Sequence, residues 1–181
     1  MAKMRKLRNE ELGRPSAEDV AGLPKIPVTV VLDNVRSMNN VGSLFRTCDA
    51  FGVERLLLCG ITGTPPDREI HKTALGAEDT VAWEHFPDAE EAVRELHGAG
   101  YTIIAIEQVE GARMLDTFVP EPGVKYALVL GNEVDGVQQR VADLCDCALE
   151  IPQVGAKHSL NVAVSGGVVL WAFFCAFRKL L

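Results

Sequence analysis

The chain is poor in the groups that staple, ligate or anchor a protein. Its 181 residues include five cysteines: Cys48, Cys59, Cys145, Cys147 and Cys175. An odd number in a chain this long argues against a disulfide framework. Only Cys145 and Cys147 lie close together, and a lone C-x-C is a weak metal signal. The four histidines, His71, His85, His97 and His158, form no H-x-x-x-H pair, so no metal is expected. The opening stretch "MAKMRKLRNEELGRPS" has no apolar core. That excludes a secretory signal and leads us to expect a cytoplasmic protein. The longest apolar run, 162–177, is interrupted by Ser165, Gly166 and Gly167. A membrane span needs about 20 apolar residues, so no membrane partner is expected and the run reads as a buried helix. G-x-G-x-x-G and G-x-x-x-x-G-K-[ST] are both missing, which counts against a dinucleotide-dependent oxidoreductase and excludes a P-loop nucleotidase.

What is there is the composition of one globular domain, 48% apolar and 24% charged. The net charge is −7, unevenly spread. Lys3, Arg5, Lys6, Arg8 and Arg14 face only Glu10 and Glu11 in the first fourteen residues, a net +3 that leaves −10 for the remainder. The chain therefore divides into a basic extension, 1–20, and one domain, 21–181. The extension reads either as a phosphate-binding arm or as a solvated terminus.

Along the domain, strand and helix patterns alternate. "PVTVVLD" is β-branched and bounded by prolines, hence a strand. "NVGSLFRTCDAFG" repeats apolar residues at three- and four-residue spacing, with Asn40 as N-cap and Gly52 as the stop. "ERLLLCG", "VAWEHF", "YTIIAIE", "KYALVLG" and "ALEIP" read as further strands. A helical turn is expected around 70–75. A helix capped by Asp88 and ending before Gly98, a short one in "VQQRVADLCD" and the apolar run complete the pattern. The class is α/β with a mostly parallel sheet and helices on both faces. Ligands of such sheets sit beyond the carboxyl ends of the strands. Three polar loops lie there: "DNVRSMNNVGSLFR", "GNEVDG" and "PQVGAKHSLN". In the first, Arg46 near a helix start suits a phosphate; the alternative is a surface salt bridge. In the second, Gly131 permits close approach of a ligand. In the third, Ser159 is a candidate N-cap, and Asn161 precedes a helix without a polar face, so its amide needs partners.

Together the loops resemble the three motifs of the SpoU/TrmH family of ribose 2′-O-methyltransferases, within the SPOUT superfamily. "NNVGSLFRTCDAFGV" is similar to the first, "LVLGNEVDGV" to the second and "IPQVGAKHSLNVAVSGGVVL" to the third, in order and over about residues 27–178. The resemblance implies a deep C-terminal trefoil knot, S-adenosylmethionine as cofactor, and a homodimer through the C-terminal helix. It implies that the helix lacks a polar face because one side meets its own sheet and another a second subunit. It implies Arg46 at the target phosphate, Asn40 near the reacting groups, Glu133 ordering the loop, and Ser159 with Asn161 as the polar pair of the third motif. The cofactor would rest on Ile106, Leu130, Gly131, Ile151 and Leu160. RNA is the expected partner, tRNA favoured over rRNA, with Lys3, Arg5, Lys6, Arg8 and Arg46 as contacts, joined by Arg68 and Lys72. A protonated arginine is a poor base, so Arg46 reads better as a stabiliser of phosphate and alkoxide charge. The rival reading is a non-catalytic RNA-binding or ribosome-assembly protein on the same fold. A SPOUT enzyme acting on a base nitrogen is disfavoured by the arginine pattern of the first motif.

Overall fold

The computed structural model describes residues 4–20 and 22–179. Seven strands form one sheet: β1 (Ile26–Asp33), β2 (Val53–Cys59), β3 (Trp83–Phe86), β4 (Tyr101–Ile106), β5 (Arg113–Met114), β6 (Lys125–Leu130) and β7 (Cys147–Glu150). Their order is β3-β2-β1-β6-β4-β7-β5, and every pairing is parallel. The two central strands come from distant parts of the chain, with Val28 opposite Tyr126 and Leu32 opposite Leu130. β1 and β6 are almost wholly buried, as continuous apolar strands covered on both faces must be.

The α-helices among the described residues are α1 (Ala17–Val20), α2 (Met38–Phe51), α3 (Arg68–Ala74), α4 (Ala89–Gly98), α5 (Gln139–Ala142) and α6 (Val162–Phe177). Alternate strand residues define two cores. Val28, Val30, Leu32, Leu128 and Leu130 pack with Leu44, Phe45, Ile70, Val169 and Phe173, so α2, α3 and α6 cover one face. Val31, Leu57, Ile103 and Val129 pack with Ala92, Val93, Leu96 and Val141, so α4 and α5 cover the other.

Several local expectations change. Helix α2 begins earlier, capped by Ser37, whose side chain accepts the Asn40 amide. Asn40 lies inside the first turn, which frees its side chain for other partners. Gly52 does end α2, with φ +61°. The turn near Ile70 is a full helix with Asp67 as its cap. Asp88 caps α4, but that helix includes Gly98. β5 is two residues inside a stretch without strand pattern.

Helix α6 is not wholly buried in the protomer. Val164, Val168 and Trp171 are 52%, 40% and 52% exposed, and Cys175 is also exposed. They form an apolar stripe opposite Val169, Phe173 and Phe177. Gly166 presses onto Leu44 and Leu130 of its own protomer, where a Cβ would collide; Gly167 faces open space. Among the described residues no helix is long and apolar enough to cross a membrane.

Candidate active site

The second and third polar loops meet at the carboxyl ends of β4, β6 and β7, and the first, after β1, lies against them. A cavity of about 500 Å³ opens there, within the range of small-molecule sites. All five residues expected at a cofactor line it: Ile106, Leu130, Gly131, Ile151 and Leu160. Glu133, Ser159 and Asn161 line it too, with Glu107, Asp135, Glu150 and His158. Among the described residues, no lysine or arginine does.

The loop after β6 is held tightly. Asn132 and Gly136 exchange main-chain hydrogen bonds at 3.1 and 3.2 Å. The Asn132 side-chain oxygen accepts the amides of Val134 and Asp135, both at 2.8 Å. A side chain at Gly131 would overlap the main chain of Gly136 and Val137, so glycine is obligatory. The far end of the loop is tied to β1. Asp33, with no exposed surface, accepts the Gln138 amide at 2.8 Å, the Gln138 side chain at 2.6 Å and the Asn34 side chain at 2.8 Å.

A second chain of bonds joins all three loops. Glu133 accepts the amides of Arg36 and Ser37, each at 3.1 Å, and the Asn40 side-chain amide at 2.8 Å. The Asn40 oxygen accepts the Asn161 side-chain amide at 3.1 Å. The Asn161 oxygen accepts the amides of Ala163 and Val164, so Asn161, not Ser159, caps α6. Its amide is exposed rather than buried, and both its oxygen and its nitrogen have partners. The order of donors fixes both asparagine orientations, because an ionised carboxylate only accepts. Partial burial pushes the Glu133 carboxyl upward. The Asn40 amide, and then the surrounding main-chain amides, outweigh that push and hold it below the ordinary carboxylate range.

Arg46 stands apart. It is exposed and lines a separate cleft between α2 and α3, with Ser43, Thr47, Ala50, Phe51, Lys72 and Thr73. The geometry brings Lys72 beside it and does not bring it into the cavity. Arg5 and Arg8 lie on the exposed N-terminal stretch, Arg5 paired with Glu11 at 2.9 Å, and Lys6 is exposed between them. Lys3 lies outside the described residues. No cluster of three or more His, Cys, Asp or Glu suited to a metal occurs among the described residues.

The family model for the SpoU rRNA methylase family matches residues 27–171. The chain belongs to that family. It is 34% identical over 161 residues to the tRNA (guanosine(18)-2'-O)-methyltransferase of Thermus thermophilus, covering 89% of this chain and 81% of that one. It is 31% identical over 154 residues to the 23S rRNA (guanosine-2'-O-)-methyltransferase RlmB of Neisseria meningitidis serogroup B, covering 84% of this chain and 60% of that one. Among solved structures it resembles an AdoMet-bound rRNA methyltransferase from Sinorhizobium meliloti, with TM-score 0.77 and 27% identity over 90% of this chain and 60% of that one. The chain thus spans about three fifths of the Neisseria and Sinorhizobium proteins. A mostly parallel sheet is expected of such a SpoU family member, and the sheet here is parallel throughout.

Sequence reasoning did not find Glu107 and Asp33. Each follows or ends a strand at the carboxyl edge of the sheet, a position that is itself a signal. Glu107 has no motif around it, and Asp33 opens the first polar loop ahead of the motif residues proper.

Proposed function

We propose that this chain is an S-adenosylmethionine-dependent RNA methyltransferase acting on a ribose 2′-OH. The observation that carries the reading is the Glu133–Asn40–Asn161 chain. It ties the first family loop to the second and third, which line a cavity whose floor is the ends of β4, β6 and β7. The residues fit the cofactor. Ile106, Leu130, Ile151 and Leu160 offer apolar walls for an adenine ring, and Gly131 leaves main chain accessible. Four carboxylates and no lysine or arginine suit a cationic sulfonium.

When bound, S-adenosylmethionine supplies a methyl group activated by the positive sulfur. The protein's part is to place a ribose oxygen in line with it. Ser159 and Asn161 hold the ribose at the cavity mouth, and Asn40 keeps Asn161 aimed. Glu133 orders Arg36 and Ser37, and with them the start of α2. Arg46 holds the target phosphate from the neighbouring cleft, with Lys72 beside it, and stabilises developing alkoxide charge. RNA is the substrate class. The relatives are named for both kinds of RNA, one a tRNA enzyme and one a 23S rRNA enzyme. We favour tRNA, the substrate named for the Thermus thermophilus relative, 81% of whose length this chain covers. The arm, from Lys3 to Arg8 within the extension 1–20, adds phosphate contacts to the domain 21–181.

The chain acts as a cytoplasmic homodimer whose C-terminal segment forms a trefoil knot. The exposed stripe of Val164, Val168 and Trp171 supports the dimer, since a two-fold partner would cover it with its own copy. Calorimetry with S-adenosylhomocysteine, and NAD as control, tests the reading. One S-adenosylhomocysteine per subunit and no NAD is the expected result. A folded dimer that binds neither would leave a non-catalytic RNA-binding or assembly protein as the better account.

A further inference from the structure

The cavity contains a carboxylate that the three motifs leave without a role. Glu107 directly follows β4 and lines the cavity beside Gly136. One of its oxygens accepts the Val137 amide at 3.0 Å, and the other accepts the Gln108 amide at 2.9 Å. Gly136, at φ +68°, lies so close that any Cβ there would overlap the Glu107 carboxylate. The group is therefore fixed by main chain on both oxygens and packed from the side. An ionised carboxylate has about four lone-pair sites. The main chain takes two, so each oxygen keeps one for a ligand.

The other cavity carboxylates are not placed in this way. Glu133 is occupied by three donors from the first loop. Asp135 and Glu150 make no side-chain hydrogen bond among the described residues, and Asp135 is exposed. Glu107 alone combines a held geometry with two free acceptor sites side by side. The chemical partner for such a pair is a vicinal diol, which offers two hydroxyl donors side by side. Acidic side chains at a strand's carboxyl end bind ribose hydroxyls in dinucleotide folds for the same reason.

We propose that Glu107 accepts the two ribose hydroxyls of the adenosine moiety. The proposal rests on the S-adenosylmethionine reading of the cavity. Glu107 is thereby a specificity residue for a ribonucleoside ligand, and Gly136 is conformationally required to let it sit there.

The test is calorimetric binding of S-adenosylhomocysteine and its 2′-deoxy and 3′-deoxy analogues to the full chain and to Glu107→Gln. Each hydroxyl bonded to a charged acceptor is expected to contribute about 10- to 100-fold in affinity. The wild-type protein should therefore bind each deoxy analogue about 10- to 100-fold more weakly. Glu107→Gln should lose a similar factor for S-adenosylhomocysteine and discriminate far less between the three ligands. Equal wild-type affinity for all three would overturn the proposal without any substitution. So would a Glu107→Gln protein that binds all three more weakly by one common factor, since that is the mark of a residue that only holds the loop. Wild-type protein that binds none of the three would overturn the cofactor reading itself and this proposal with it.

Discussion

Asp33→Ala is the perturbation whose cost follows most directly from the geometry. The carboxylate has no exposed surface and no cationic partner among the described residues; three N–H donors satisfy it. The Gln138 and Asn34 side chains can turn to water when it is removed. The Gln138 main-chain amide cannot, because it is fixed at the end of the pocket loop. An orphaned amide costs about 1–3 kcal/mol, and each lost bond to a charged acceptor about 1.5 kcal/mol after re-solvation. The sum is about 4–6 kcal/mol. For a chain of this length that lowers the thermal midpoint by about 8–24 °C. Asp33→Asn keeps the volume but turns an NH2 group toward at least one donor, and about half the loss is expected. Differential scanning calorimetry of the three proteins measures this. S-adenosylhomocysteine binding should fall in the same order, because residues 131–138 lose their anchor to β1. A drop of under about 2 °C for Asp33→Ala would refute the claim that this buried charge holds the loop.

Other consequences are as direct. Arg46→Ala should abolish methyl transfer while leaving S-adenosylhomocysteine affinity within about twofold, because Arg46 lies outside the cavity; calorimetry beside a methyl-transfer assay separates the two. The Glu133 carboxyl is held below its unfolded range, so it contributes stability at neutral pH that is lost as pH falls through its lowered pKa. Glu133→Gln should lack that acid limb, which thermal midpoints measured from neutral pH down through the carboxylate range would show. Burial pushes the Cys48 thiol upward and that of Cys59 up to about 12, so neither should react with iodoacetamide in the native protein. Cys175 should be protected only while α6 is covered by a partner, and Trp171→Glu should expose it and give a monomer on sedimentation. Deleting residues 1–8 should flatten the salt dependence of RNA binding, by about 0.7–0.9 in the log–log slope for each phosphate that the arm no longer neutralises; an unchanged slope in filter binding would exclude the arm.

Much of the frame was readable because the core strands are continuous apolar runs and several helix ends carry chemical punctuation. Asp88 and Gly52 act as read. The three loops were readable as a set because their residue types stand in a fixed order. Three kinds of feature were not readable. Long-range hydrogen bonds decide which polar residue caps a helix: Asn40 is taken by Glu133, so Ser37 caps α2, and Asn161 caps α6 in place of Ser159. Sheet order is set by pairing across the chain, so β5 could be assigned only from its partner β7. The placement of Arg46 depends on which way the third turn of α2 faces, so its position in the α2–α3 cleft does not follow from its spacing to the helix start.

The pairing of β1 with β6 also constrains how the molecule comes into being. Val28 waits for Tyr126. At a synthesis rate of about 5–20 residues per second, the central strand has one bare edge for about 5–20 s on the ribosome. The bond from Asn161 to Asn40 closes later still, once the chain has grown past residue 161. No nascent intermediate therefore holds a finished cavity. A ribosome that stalls before Asn161 leaves a sheet with its cofactor floor partly built and its third wall missing. Binding competence is acquired in one step, only after Asn161 has been added, and a nascent chain with an open β1 edge is a natural client for chaperones.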